Sequence, residues 1–293
     1  MFHRSVSVIG LAALAACSAE KAQPRSTLTD DFGDTLVVAS AAPARIVSLN
    51  PTTTEILFAL GAGARVVGRT TYDQFPAEVK QVPDLGQGLR PNVEAIIGAH
   101  PQLAVLYASN DNRDAARRLR AAGITTAAYK VDRIADFARV TLALGRLIGD
   151  TAAARRTVDS VNATLDRVRA STAPLKRPTV FWPFWEAPLL SVGHGSFVDE
   201  LIEIAGARNV FTDLEEPSPA VAFEELVKRD PDIVVMGVKS RERALKDPKW
   251  KALRAVRENH LLVVDSTIII GPSVRLGAGA EMLARVFHPD VRF

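Results

Sequence analysis

Two stretches of this sequence occur twice, in the same order. Glu55-Ile-Leu-Phe-Ala-Leu-Gly61-Ala-Gly-Ala-Arg65 is matched by Glu200-Leu-Ile-Glu-Ile-Ala-Gly206-Ala-Arg208. Each reads as an apolar-periodic helix closed by a glycine C-cap. EAIIGAHPQLAVL, from Glu94, and EELVKRDPDIVVM, from Glu224, both run from helix through proline into an apolar strand, with the proline seven positions after the glutamate. Each half then adds a helix-and-strand unit, RDAARRLRAAGITTAAY in the first and KWKALRAVRENHLLVV in the second. Alternating units with short connections predict parallel, doubly wound sheets. The expected fold is therefore α/β, with two Rossmann-like lobes over residues 44–130 and 178–293.

A helical connection over residues 131–177 should join them. Asp150 is a good N-cap, and Ala154, Val158, Val161, Leu165 and Val168 follow on one face. A helix from Thr151 to Ser171 would be roughly 32 Å long at about 1.5 Å per residue, with Pro174 and Pro178 ending it. A helix between lobes restricts rotation more than a flexible loop does, so small opening motions are predicted rather than wide hinge closure.

The start of the chain is an export signal. After His3 and Arg4 the residues are apolar and small to Ala16, a run too short to span a bilayer core of roughly 30 Å. It ends at Leu14-Ala15-Ala16-Cys17, which resembles the lipobox of bacterial lipoproteins, in which the cysteine is lipidated and becomes the mature N-terminus. Cys17 is the single cysteine of the chain, so no disulfide framework is available. Residues 1–17 are read as the signal peptide, and 18–43 as a tether followed by a hairpin. The expectation is an exported, periplasmic or cell-surface protein anchored at Cys17.

A formal net charge of +3 over 293 residues leaves no clustered basic face for nucleic acid. Enzyme motifs fail on context. LGAGARVVG invites a dinucleotide reading, but Gly61 closes a helix where the fingerprint glycine should follow a strand. Neither a Walker A sequence nor G-x-S-x-G occurs. The five histidines show no i, i+4 pair and no nearby thiolate, so no metal ligands are assigned. His100 and His260 are read as surface residues at helix-to-strand turns.

Candidate binding residues lie in loops after strand ends, where open parallel sheets form their ligand crevice. Asn50-Pro51-Thr52-Thr53-Thr54 follows RIVSL and opens a helix whose N–H groups could meet an anionic or carbonyl group, or could simply be capped by Asn50. Tyr72 follows RVVGRT, and Tyr107 and Asn110 follow LAVLY. TVFWPFWEAP places Trp182, Phe184 and Trp185 at a strand end, and a proline-interrupted loop is not expected to bury both indoles. Aromatics on facing loops suit a cleft for a large, flat, partly apolar ligand.

Over essentially the whole mature chain these segments resemble the substrate-binding proteins of bacterial ABC importers for cobalamin, ferric siderophores and haem. The ordered set includes LTDDFGDTLVV, PARIVSLNPTTTEILFALG, NVEAIIGAHPQLAVLY, SVGHGSFVDELIEIAGARNVF, FEELVKRDPDIVVM and VFHPDVRF. The cobalamin branch looks most similar: a tyrosine there aligns with Tyr72, an aromatic with Tyr107, a phenylalanine with Phe184 and a last-loop arginine with Arg275. Where that branch has tryptophan before Gln-Gly, this chain has Gly86-Gln87-Gly88, and Ile268–Ile270 replaces a last-loop aromatic.

The resemblance implies two lobes on one rigid helix and binding without catalysis. No cofactor is expected; the bound ligand would be cobalamin or another metal chelate. Asn50, Thr52, Tyr72, Gln87, Tyr107, Asn110, Trp182, Phe184, Trp185, His194 and Arg275 are the candidate ligand contacts. The family's two permease-docking glutamates align with Glu94 and Glu224. Each also sits in a helix first turn, where a carboxylate is stabilised by roughly 0.3–1 kcal/mol. The implied partners are an ABC importer permease, a small-molecule ligand and a membrane through the lipid anchor, with the protein itself a monomer. An alternative is haem or a ferric siderophore, with Tyr72 or His194 on haem iron and Arg275 on propionates or an anionic chelate. Readings of a different class are an exported α/β enzyme acting on a cofactor-like substrate and a ligand-free adhesin or scaffold.

Overall fold

A computed structural model describes residues 26–293; Cys17, the expected lipidation site, lies outside them. The described residues begin with an antiparallel hairpin, β1 (Thr27–Thr29) and β2 (Thr35–Val37). The first lobe follows as β3 (Ile46–Leu49), α1 (Pro51–Ala59), β4 (Val66–Gly68), α2 (Val93–Gly98), β5 (Leu103–Tyr107), α3 (Arg113–Ala121) and β6 (Thr125–Tyr129). Then come α4 (Ile134–Ile148) and α5 (Thr151–Thr172). The second lobe comprises β7 (Thr179–Phe181), β8 (Pro183–Glu186), β9 (Leu189–Ser191), α6 (Phe197–Ile204), β10 (Arg208–Asn209), α7 (Phe223–Arg229), β11 (Ile233–Met236), α8 (Val238–Lys246), α9 (Arg254–Arg257), β12 (Leu261–Val263) and α10 (Leu276–Phe287).

The repetition in sequence is repetition in space. The first lobe's sheet has the order β4-β3-β5-β6 and the second β10-β7-β11-β12, both wholly parallel. In each lobe the first strand leads outward to the second, and the chain then returns to place the third on the other side. That reversal opens a crevice at the carboxyl ends of β3 and β5, and of β7 and β11. The fold is two α/β lobes joined by a long helix, as the repeat predicts.

Each central strand is buried on both faces, and the side chains alternate between two helical layers. Val47, Leu49, Ala104 and Leu106 pack under α2 and α3, whereas Ile46, Leu103 and Val105 face α1 and α4. In the second lobe Phe181, Val234 and Met236 pack with Phe211 and Trp250, while Val180 and Val235 join the layer of α5, α6 and α10. The inner layers of the two lobes are continuous through α4, α5 and α10, so one apolar core crosses the lobe junction.

Helix α5 occupies that junction. Asp150 caps it by accepting from Ala153 N at 2.8 Å, and Ala154, Val158, Val161, Leu165 and Val168 are buried, as the periodicity predicts. Its 22 residues span roughly 33 Å. On one side α4 approaches closely, with Gly145 against the Ala154 side chain; on the other, Gly277 of α10 lies against Thr164. Small residues at both contacts let three helices pack tightly.

Candidate functional site

The strand ends of the two lobes enclose a cleft of about 560 Å³, within the range of roughly 300–1,000 Å³ typical of small-molecule sites. Asn50 and Thr52 enter it from the end of β3, Tyr107 from β5, and Val131 and Asp132 from the end of β6. The facing wall holds Phe184 of β8, Ser196 and Phe197 at the start of α6, and Ile270–Pro272 after β12. The lobes meet closely at one edge, where a Cβ on Gly271 would collide with Thr52 Oγ1.

Four of the sequence-designated contacts line this cleft: Asn50, Thr52, Tyr107 and Phe184. Asn50 caps α1, its Oδ1 accepting from Thr52 N at 2.9 Å. The Tyr107 hydroxyl donates to Asp132 Oδ1 at 2.9 Å and to Oδ2 at 3.0 Å. Burial, reinforced by Asp132, pushes the Tyr107 phenol well above its ordinary value, so it stays protonated. Phe184 is 65% exposed and free to cover a ligand face.

The loop after β4 carries Tyr72, which is 58% exposed. That loop is tied by Asp73, whose Oδ2 accepts from Thr70 N at 2.8 Å and from its hydroxyl at 2.5 Å. Burial pushes the Asp73 carboxyl up, against the hydrogen bonds from Thr70 and the nearby charge of Arg69. Gln87 is exposed on the neighbouring loop, which packs so closely on β3 that a Cβ on Gly88 would strike Leu49 O. Asn110 is exposed just beyond β5. Tyr72, Gln87 and Asn110 do not line the cleft, but they stand at the carboxyl edge of the same sheet.

The proline-interrupted aromatic segment is a hairpin, β8 paired with β9, rather than a loop. Its two large indoles part company: Trp182 is buried in the core at 8% exposure, while Trp185 is 60% exposed with Nε1 donating to Ala187 O at 2.9 Å. Trp185 and Phe184 also border a second pocket with Arg243, and Phe184 lies between that pocket and the cleft.

His194 does not face the cleft. It lines a larger cavity of about 730 Å³ between the start of α4, the end of α5 and α6. There His194 Nδ1 lies 3.3 Å from Asp199 Oδ2. Burial pushes Asp199 up, opposed by a hydrogen bond from Asn209 and by His194. The other charges lining it are matched, Arg177 to Glu203, Glu200 to Arg133 and Arg169 to Asp166. Although smaller, the inter-lobe cleft is the cavity on which the strand ends of both sheets converge, where open parallel sheets form their ligand crevice.

Arg275 is taken up within the protein. Its Nε and Nη2 donate to Glu55 Oε2 and Oε1 at 3.0 and 2.5 Å, and Nη1 to Thr267 O at 2.7 Å. The guanidinium carbon lies 4.7 Å from the centre of the Phe75 ring. An anion could reach this arginine only in competition with Glu55. That pairing was not legible in sequence, since the partners are 220 residues apart.

Glu94 and Glu224 lie in the first turns of α2 and α7, equivalent helices of the two lobes, and both are exposed. Glu94 Oε1 pairs with Arg118 Nη2 at 2.7 Å; among the described residues Glu224 forms no ion pair.

Comparison with known proteins agrees with this architecture. Residues 46–267 match the periplasmic binding protein family. An uncharacterized ABC transporter substrate-binding lipoprotein of Bacillus subtilis, YvrC, is 30% identical over 273 residues, covering 89% of this chain and 85% of that one. A cobalamin-binding protein of Halobacterium salinarum is also 30% identical, over 93% of this chain and 75% of its own length. A periplasmic heme binding protein from Pseudomonas aeruginosa superposes with a TM-score of 0.76 at 25% identity, covering 85% of this chain and 94% of that one. The chain belongs to the periplasmic binding protein family: it is an extracytoplasmic, non-catalytic protein that binds a small molecule for an ABC importer.

Proposed function

We propose that this protein captures a corrinoid in the inter-lobe cleft and delivers it to an ABC permease. The observation that carries this reading is the composition of the cleft. Phe184 and Ile270 offer apolar surface on one side, and Tyr107, Asp132 and Asn50 offer fixed polar groups on the other. A flat macrocycle with polar substituents at its edge matches such a pair of walls. Tyr72 and Trp185, both exposed, extend the aromatic rim for a ligand larger than the cleft itself. The similarity to a cobalamin-binding protein over most of both chains supports the same ligand class.

Delivery runs through Glu94 and Glu224, which present carboxylates from equivalent helices of the two lobes to arginines of the permease. The protein acts as a monomer tethered to the membrane by lipid on Cys17.

A second reading keeps the transport role with haem as cargo, favoured by the similarity to a periplasmic heme binding protein. Tyr72 would then supply the iron ligand, because its phenol stands exposed whereas His194 is turned toward Asp199 in the other cavity. Calorimetric titration of the chain lacking residues 1–17 with cyanocobalamin, hemin and a ferric hydroxamate separates these readings. One-to-one binding of cyanocobalamin, weakened by Phe184→Ala, supports the corrinoid. A hemin isotherm whose Soret band shifts on Tyr72→Phe moves the ligand to haem. No binding of any of the three removes the proposal.

A further inference from the structure

The first repeated motif has a use beyond its fold. Glu55 and Glu200 each stand six residues before the glycine that closes their helix, Gly61 at φ 76° and Gly206 at φ 80°. They are therefore equivalent positions of the two lobes. Each of them reaches an arginine across the lobe junction. Glu55, on α1, receives two hydrogen bonds from Arg275, which follows the last strand of the second lobe. Glu200, on α6 of the second lobe, pairs with Arg133 Nε and accepts from Ile134 N at 2.9 Å, at the start of α4. Helix α4 packs on the first lobe through α1.

We propose that Glu55 and Glu200 are reciprocal inter-lobe clasps that set the width of the ligand cleft, with Arg275 and Arg133 as positioning residues. Neighbours of both clasps line the cleft: Thr52 and Gly271 beside the first, Asp132 and Ser196 beside the second. A change at either clasp is thus passed to the ligand walls. This inference rests on the cleft being the ligand site.

The two clasps differ in strength. Glu55 and Arg275 have side chains only 5% and 14% exposed, and Phe75 covers the guanidinium. Removing one partner there strands a buried charge. Glu200 and Arg133 are 25% and 49% exposed, so salt screens them more readily. Gly195, at φ 79°, lies against the same arginine, a Cβ there falling 2.8 Å from Arg133 Nη1, and its left-handed backbone favours glycine.

The test places spin labels at Arg117→Cys on α3 and Lys251→Cys beyond α8, with Cys17→Ser, and reads the inter-lobe distance by electron–electron double resonance without ligand. The parent should give one narrow distribution. Glu55→Gln should broaden it, Glu200→Gln should broaden it less, and the double variant most. Concentrated salt should broaden the parent toward Glu200→Gln, not toward Glu55→Gln. If Glu55→Gln fails to fold, Glu200→Gln and Arg133→Gln, at the partly exposed clasp, carry the test alone. Affinity for cyanocobalamin and hemin should then fall about three- to tenfold, as expected if the binding-competent lobe arrangement drops to about a tenth to a third of the population. A double variant that melts cooperatively yet keeps the parent's distance distribution overturns the clasps. Because that distance is read without ligand, failure of both ligands to bind removes the ligand assignment and leaves the clasp result standing.

Discussion

The hydroxyl of Tyr107 is bound by both oxygens of Asp132, at 2.9 and 3.0 Å, so the last residue of β5 is held to the segment after β6 at the cleft wall. The tie holds the ring's hydroxyl end in place, so that part of the cleft wall is preformed. Preorganisation of this kind reduces the ordering cost of binding.

Tyr107→Phe keeps the ring and loses the tie. A neutral-to-charged hydrogen bond contributes about 1.5–3 kcal/mol at most, and less at a partly open cleft. Affinity for cyanocobalamin should therefore fall by about fivefold, and Tyr107→Ala should lose clearly more. Equal losses for the two variants, measured by calorimetry, would show that the hydroxyl rather than the ring face governs binding.

Leu165 sits mid-way along α5 at 3% exposure, in the core that crosses the lobe junction. Leu165→Ala removes buried side-chain volume from a layer already tight at Gly145 and Gly277, so little collapse can fill the cavity. The cost should be about 2–5 kcal/mol in denaturant unfolding. A value under about 1 kcal/mol would mean that the junction is loosely packed.

Asp232 ties the second lobe's sheet together. Thr179 N and its hydroxyl donate to Oδ2 at 2.9 and 2.8 Å, and Arg254 Nη2 to Oδ1 at 2.9 Å. Burial opposes ionisation, but these donors outweigh it and hold the carboxyl down to about 2. Since the unfolded chain takes up this proton near pH 3.9, the native state gains stability that is full above about pH 5 and is lost as pH falls toward 2. Asp232→Asn should cost about 1 kcal/mol near neutral pH, reduced by solvent screening because the side chain is 39% exposed. That difference should vanish near pH 2; a constant difference in denaturant midpoints across this range would contradict the assignment.

Glu94 is proposed to dock on the permease, yet it is paired with Arg118 of its own lobe, with side chains 75% and 52% exposed. Such a pair is worth only about 0–1 kcal/mol and is easily exchanged for a permease arginine. Arg118→Ala should leave stability nearly unchanged and tighten binding to the reconstituted permease by up to about fivefold, the equivalent of ~1 kcal/mol. Glu94→Ala and Glu224→Ala should weaken it. Binding indifferent to all three variants would remove these glutamates from the interface.

The fold was legible because it is written twice. Two copies of a helix-proline-strand unit specify both sheets, and the shared strand order follows from the shared order of motifs. Helix α5 was legible because Asp150 and five apolar residues leave little choice of face. The site was harder. Asn50 announced a helix start, and its role as a cap follows from its place before Pro51. In TVFWPFWEAP the two prolines suggested a loop, but a short hairpin tolerates proline at its edge: Trp182, just before the hairpin, is buried in the core, and Trp185, within its first strand, is exposed. His194 lay in a motif that suggested a ligand contact, and only the path of the chain through Gly195 shows it facing Asp199. Glu55 and Glu200 were visible as matched residues, but nothing local marks their partners, 220 and 67 residues away.

The most direct test of the central claim is a crystal structure of the protein with whichever chelate binds in the titration. The account predicts density between the lobes, against Phe184, Ile270 and Tyr107, with Trp185 or Tyr72 closing over the macrocycle edge. Density in the cavity beside His194 and Asp199, with the inter-lobe cleft empty, would contradict it.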